Sequence, residues 1–239
     1  MKLKLLSWNT WHGNHIKKIV DFLDDHRPDI IGLQEVIEKD GSNTAAEIAC
    51  QLNYNFVYFR AIDKFGTDPA QGNAILTKFP IEKSERHFLS DMSTYRGTAE
   101  TEPRIAVGVK IMVNNEPLSV FTVHLAYSNG FQQSEMRDLQ VDNLLKLISQ
   151  SRTILMGDFN SGPTSTCVEK ITGVMSNTDS VLTKPTWTIY PFDHEGFQET
   201  ELRHRLDYIF VSKDIVVENF SIPFSKGSDH LPVSAVVLA

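Results

Sequence analysis

Residues 104–125 read RIAVGVKIMVNNEPLSVFTVHL, two apolar runs of strand length separated by Asn114, Asn115 and Glu116. A tight polar turn between two runs rich in β-branched residues predicts a β-hairpin. Upstream stand NAILTK (73–78) and IEKSERHFL (81–89), also strand-like and punctuated by Pro80. Four consecutive strands with no helix-length pattern between them exclude simple repetition of strand and helix, as in a (β/α)₈ barrel.

Outward from this block the rhythm changes. Toward the N-terminus, KLKLLSW (2–8) reads as a strand, and HIKKIVDFLDDH (15–26) as a helix with Ile16, Ile19, Val20 and Leu23 on one face. DIIGLQE (29–35) is a buried strand behind Pro28, TAAEIACQLN (44–53) a second helix, and YNFVYF (54–59) a third strand. Toward the C-terminus, QQSEMRDLQVDNLLKLISQ (132–150) predicts a helix with Met136, Leu139, Leu144, Leu147 and Ile148 on one broad face. TILMGDF (153–159), LDYIFVS (206–212), IVVENFSI (215–222) and PVSAVVLA (232–239) return the chain to strands. The pattern predicts an α/β four-layer sandwich, two mixed β-sheets packed face to face with helices on the outside. Polar loops near 60–72, 90–103, 126–133 and 190–204 are long enough that function is expected there.

A chain of 239 residues with 41% hydrophobic content can bury a large core. Its formal charge of -7 provides no general basic field, so an anionic substrate must be met by a local site or a metal. A non-specific nucleic-acid coat protein is thereby disfavoured. Cys50 and Cys167 read as small buried residues in a reducing compartment. No segment approaches the roughly 20 apolar residues of a membrane span. A soluble, cytoplasmic protein with no obligate protein partner is expected.

The buried runs share one peculiarity: they end in groups that are costly to desolvate. Asn9 follows KLLSW, Glu35 follows IIGLQ, His124 follows SVFTV, and Asp158 with Asn160 closes ILMGDFN. Asp207 and the pair Asp229 and His230 add two further sources. Each alone also fits a turn cap, a surface ion pair or a structural histidine. Together they form a set of hard oxygen and imidazole groups that suits Mg²⁺ or Mn²⁺ better than zinc. Such an ion neutralises phosphoryl charge and lowers the pKa of water. Asp158 and Asn160 project to the same side of an extended segment, and an Asp207 placed beside His230 would fix its tautomer and favour its charged form.

In order along the chain, SWNT, LQE, GNAILTKFPI, TVHL, MGDFN, RLDYIFVS and SDHLPV resemble the motifs of the endonuclease/exonuclease/phosphatase superfamily of metal-dependent phosphoesterases. The resemblance implies one such domain over residues 1–239 and a four-layer α/β sandwich. It also implies a metal group of Asn9, Glu35 and Asp229, with Asp158 and Asn160 close to the scissile phosphate. His124 and His230 look like the family's catalytic histidines and Asp207 like the partner of His230. His124 and the WNTWHGN stretch depart from the abasic-site endonuclease branch. They look more like branches that include pancreatic-type deoxyribonuclease, tyrosyl-DNA phosphodiesterase, sphingomyelinase and deadenylases.

Arg104 is a candidate phosphate clamp, and an ion pair with Glu100 or Glu102 is the alternative. Tyr95, Tyr127, Phe131, Trp187, Tyr190, Phe192 and Phe197 either stack on a substrate or pack at the edge of the core. The remaining histidines receive no role. The expected activity is hydrolysis of a phosphodiester or phosphomonoester by in-line attack of activated water, on a small molecule, a lipid headgroup or a nucleic acid. A nuclease, with Lys64, Arg96 and Arg203 as local basic residues, and a phosphate-binding module without turnover are the alternatives.

Overall fold

A computed structural model of the protein describes residues 1–61 and 70–239. Strand β1 (Lys2–Asn9) leads through helix α1 (Ile16–His26) to β2 (Ile30–Lys39), and β3 (Ser42–Asn43) runs into α2 (Thr44–Leu52) and β4 (Asn55–Arg60). Then β5 (Ala70–Thr77), β6 (Ile81–Phe88), β7 (Ile105–Val113) and β8 (Glu116–His124) follow with no α-helix between them. Helix α3 (Glu135–Leu145) leads to β9 (Thr153–Asp158), and α4 (Thr166–Val174) to β10 (Ser176–Asn177). A hairpin of β11 (Phe192–His194) and β12 (Phe197–Glu199) precedes β13 (Asp207–Val211), β14 (Val216–Ser221) and β15 (Val233–Leu238).

One sheet has the order β14-β15-β1-β2-β5-β4, with β3 on β2, and the other β10-β13-β9-β8-β7-β6. Each holds one parallel pair, β1 with β2 and β8 with β9. Parallel neighbours need a crossover connection, and α1 and α3 supply it. The remaining pairs are antiparallel, among them the β7–β8 hairpin expected from residues 104–125.

Strand alternation distributes the apolar side chains between layers. On β1, Leu3 and Leu5 join the cluster between the sheets, while Leu6 and Trp8 join the cluster under α1 and α2. The inter-sheet cluster gathers Ile30, Ile75, Val233 and Val237 from one sheet with Val107, Val109, Ile154, Met156 and Ile209 from the other. Val141, Leu144, Val168 and Ile171 of α3 and α4 cover the outer face of the second sheet. The four layers are therefore helices, sheet, sheet and helices. No helix among the described residues is long and apolar enough to cross a membrane.

Some expectations are corrected. Helix α3 ends at Leu145, Leu139 is 43% exposed, and its buried face includes Arg137 and Gln140. Those two polar side chains hold the loop after β8. Arg137 donates to the Ala126 carbonyl at 3.1 Å, to Ser128 Oγ at 2.8 Å and to the Gln132 carbonyl, and Gln140 Oε1 accepts the Ala126 N–H at 2.9 Å. Hydrophobic spacing could not reveal a polar face buried for this purpose. Cys50 is exposed, since α2 buries Ala45, Ile48, Ala49 and Leu52 and position 50 points off that face; Cys167 is buried as expected. The stretch 190–204 carries the β11–β12 hairpin rather than an unstructured loop.

The close approach of β9 to β8 is set by Gly157, where an added Cβ would stand 2.1 Å from the Val123 carbonyl oxygen. Backbone would have to move to admit it. Gly157→Ala is expected to destabilise the fold by at least about 2 kcal/mol in urea unfolding. Gly162→Ala, where a Cβ meets nothing within 4 Å, is the control and should stay within about 0.5 kcal/mol of the parent.

Candidate active site

Strand register brings the first three groups together. His124 pairs with Asp158 in the parallel β8–β9 ladder, and Asp158 with Asp207 in the antiparallel β9–β13 ladder. Paired residues share a sheet face, so an imidazole and two carboxylates stand in a row at the end of one sheet. Asn9, last residue of β1, reaches across from the other sheet and donates through Nδ2 to Asp158 Oδ2 at 3.0 Å and to Glu35 Oε1 at 3.1 Å. Asp158 is thus where the two sheets meet chemically.

Glu35 does not end its strand as expected, because β2 continues to Lys39. The ladder with β5 pairs Leu33 with Ala74 and Val36 with Gly72, leaving Gln34 and Glu35 opposite Asn73 alone. This bulge puts Glu35 in the left-handed region, φ 53°, and re-aims its carboxylate into the cleft. Asn160 is also left-handed, φ 47°, a conformation Asn tolerates better than most residues.

His230 donates from Nδ1 to Asp207 Oδ2 at 2.9 Å, which leaves Nε2 facing Asp158 Oδ2 at 3.6 Å. Burial works against an imidazolium there, but Asp207, Asp158 and Asp229 together outweigh it and hold the His230 pKa well above the ordinary histidine value. His124 behaves oppositely. Burial lowers its pKa, and the charges of Arg104, His230 and His12 lower it further. Its Nε2 is 3.1 Å from Asn160 Nδ2, an amide nitrogen that also donates to the Leu125 carbonyl at 3.0 Å. His124 Nε2 therefore accepts from the Asn160 amide. Asp158 has its carboxyl pushed above the usual carboxylate range, first by burial and also by Asp207, with His230 and the Asn9 amide acting in the other direction.

These groups open onto a cleft of about 320 Å³ lined by Glu35, Arg104, His124, Asp158, Asp229 and His230, among others. Arg104 pairs with Glu102 at 3.1 Å, one of its two expected partners, and its Nε has no hydrogen-bond partner among the described residues. Asp229 is held by the Trp187 indole N–H at 2.9 Å and by Ser228 Oγ at 3.1 Å. The donor set suits a hard divalent cation: Glu35 and Asp229 bring carboxylates to the open cleft, and no thiolate lines it. Asn9 presents its NH₂ rather than its oxygen, because Oδ1 accepts the Trp11 N–H at 3.0 Å. Through that NH₂ it orients Glu35 and Asp158. Asp158, Asp207 and His230 also bring ligand atoms within 4.8 Å of one another, although Asp207 is fully buried and already bonded to His230.

Several contributors carried no assignment in the sequence. His12 stands 3.2 Å from Glu35 Oε2, and the one cue was the Gly13 that closes a short turn after β1. Arg137 and Gln140 shape the loop that carries Tyr127 and Phe131. Those two rings line the cleft with Trp11, Trp187 and Phe192, while Tyr95 and Phe197 do not. Tyr190 stacks on Trp11, ring centroids 5.3 Å apart. Arg96 donates to the Ser93 and Tyr95 carbonyls and Arg203 pairs with Glu199, so neither reaches the cleft; Lys64 lies outside the described residues.

The chain matches the sequence model of the Endonuclease/Exonuclease/phosphatase family over residues 6–230. None of the curated proteins matches it. Among solved structures it is similar to an endonuclease/exonuclease/phosphatase from Beutenbergia cavernae, with TM-score 0.80 and 18% identity over 99% of this chain and 71% of that one. It is similar to the mannosyl-6-phosphatase of Bacteroides thetaiotaomicron, with TM-score 0.75 and 19% identity over 99% of this chain and 100% of that one. D. rerio TDP2 complexed with a single-strand DNA product gives TM-score 0.72 and 16% identity over 100% and 99% of the two chains. At these identities the likeness establishes the fold. With the family model spanning nearly the whole sequence, this chain belongs to the Endonuclease/Exonuclease/phosphatase family.

Proposed function

We propose that this protein hydrolyses a phosphate ester by in-line attack of water, assisted by Mg²⁺ or Mn²⁺. The observation that carries the proposal is the surroundings of one buried atom. Asp158 Oδ2 stands 3.6 Å from Nε2 of both His124 and His230 and 3.0 Å from Asn9 Nδ2. Packing alone gives no reason to gather two imidazoles and an amide around a buried carboxylate, whereas a phosphoryl group and its attacking water need such partners.

Bound at Glu35 and Asp229, a divalent cation supplies charge neutralisation at the phosphoryl oxygens and a lowered pKa for nearby water. Asp158, whose environment favours taking up a proton, orients the water and accepts its proton. His230, kept charged by Asp207, donates to a phosphoryl oxygen as negative charge builds on it. Asn160 exchanges its contact with His124 for a second phosphoryl oxygen, and Arg104 offers its unpartnered N–H to the same group.

A cleft of about 320 Å³ with aromatic walls suits a compact ester carrying a ring. The sugar phosphate in the name of the Bacteroides thetaiotaomicron neighbour supports that size class. The net charge of -7 agrees, since long duplex DNA would require several phosphate contacts from Lys or Arg.

Turnover of p-nitrophenyl phosphate and bis-p-nitrophenyl phosphate with added Mg²⁺ or Mn²⁺ tests the chemistry. EDTA is expected to abolish it and re-added metal to restore it. Activity that ignores the chelator, or none with any metal, contradicts the proposal. Asp158→Asn and His230→Gln are each expected to lower kcat by about 10² to 10⁴ with the far-ultraviolet circular dichroism unchanged. Asp207→Asn should cost at least about tenfold in kcat with little change in KM, because it removes the charge that keeps His230 a donor. Near-parental kcat in the Asp158 or His230 variant would refute these roles. A parallel comparison of a hexose 6-phosphate with single-stranded DNA is expected to favour the sugar phosphate.

A further inference from the structure

His12 has no part in the mechanism above, yet the backbone around it is built against steric preference. Trp11 and His12 take consecutive left-handed conformations, φ 47° and 58°, and Gly13 follows at 72°. Residues with a Cβ are disfavoured there, two in succession more so. The turn is over-determined. Trp11 N–H donates to Asn9 Oδ1 at 3.0 Å, Thr10 N–H and Oγ1 donate to the Gln34 carbonyl at 3.0 and 2.8 Å, and Gly13 N–H donates to the Thr10 carbonyl at 2.9 Å. The Trp11 ring is fixed from outside by Tyr190.

All this places the His12 imidazole 3.2 Å from Glu35 Oε2. Glu35 is itself held left-handed by its bulge, φ 53°, so both partners are strained toward one another. A half-exposed His–Glu pair contributes little to stability and does not account for such a turn. Strain maintained by many contacts is found where geometry serves function.

We infer that His12 is a nitrogen ligand of the divalent cation proposed at Glu35, and that it tilts the site toward a first-row transition ion such as Mn²⁺ and away from Mg²⁺. The inference rests on the metal-dependent reading above. The two oxygens of Glu35 are divided, Oε1 to the Asn9 amide at 3.1 Å and Oε2 to the imidazole at 3.2 Å. The latter separation is close to the edge of an octahedron with bonds of about 2.1 Å. The two atoms are thus already spaced as neighbouring ligands. Mg²⁺ prefers oxygen and sheds water reluctantly, whereas imidazole nitrogen suits transition ions. The His12 side chain is 45% exposed and open to an arriving ion.

Calorimetric titration of Mg²⁺ and Mn²⁺ into the full chain and into His12→Ala and His12→Gln tests this without any substrate. Mn²⁺ affinity is expected to fall at least about tenfold in both variants, with Mg²⁺ affinity changing less than about threefold. Equal losses for the two ions, or no loss of either, would overturn the role of His12 while leaving the metal-dependent reading intact. Failure of the unaltered protein to bind either ion would remove both. Pulsed electron paramagnetic resonance of the Mn²⁺-loaded unaltered protein provides a check that needs no folded variant. A nitrogen coupling is expected, and its absence from the unaltered protein contradicts the inference.

Discussion

The arrangement depends on one buried carboxylate. Asp158 sits at the end of β9, 1% exposed, with one further carboxylate, that of Asp207, and two imidazoles around it. A charge in such a place is costly unless it is neutralised, paired or hydrogen-bonded. The protein meets that demand from both sheets. Asn9 comes from the first, the Asn160 N–H from the segment after β9 in the second, and His230, kept charged by Asp207, from the segment that returns the chain to the first. The same demand produces a reactive environment, because a carboxylate held short of full compensation remains ready to take a proton.

The two sheets act as rigid arms that converge on this point. Neither has the site alone: Asn9 and Glu35 belong to one sheet, His124, Asp158 and Asp207 to the other. Inter-sheet packing of Leu3, Leu5, Ile30, Val107 and Ile154 fixes how far apart their ends lie. Fine adjustment comes from local devices. A bulge turns Glu35 inward, Gly157 lets β9 close against β8, and Arg137 with Gln140 anchors the loop bearing Tyr127 and Phe131. The Thr186–Thr188 segment adds another, since Thr186 bonds to the backbone on either side of the Asp207–His230 pair and Trp187 holds Asp229.

Much of this was legible from residue patterns. Strand alternation and the helix-free run after residue 70 predicted the layered α/β architecture, and polar residues at the ends of apolar runs named Asn9, His124 and Asp158, which the structure brings into contact. What escaped had physical reasons. Arg137 and Gln140 are polar groups on a buried helix face, which hydrophobic periodicity reads as solvent-facing. His12 gains its place from three left-handed residues in a row, a backbone event with no side-chain signature apart from Gly13. The motif for Asn160 and His124 named the residues but not the direction of their hydrogen bond, which follows from the Leu125 carbonyl that the amide must also serve.

On the proposed function, one cleft holds a cation against a phosphorus atom beside Asp158. Paramagnetic relaxation of the phosphorus-31 resonance of inorganic phosphate, with Mn²⁺ bound to the protein, tests it most directly. Strong relaxation corresponding to direct-contact distance between ion and phosphorus is expected, removed when Glu35→Gln and Asp229→Asn are combined. Phosphate that binds the Mn²⁺-loaded protein without enhanced relaxation would show two separate sites and contradict the proposed function.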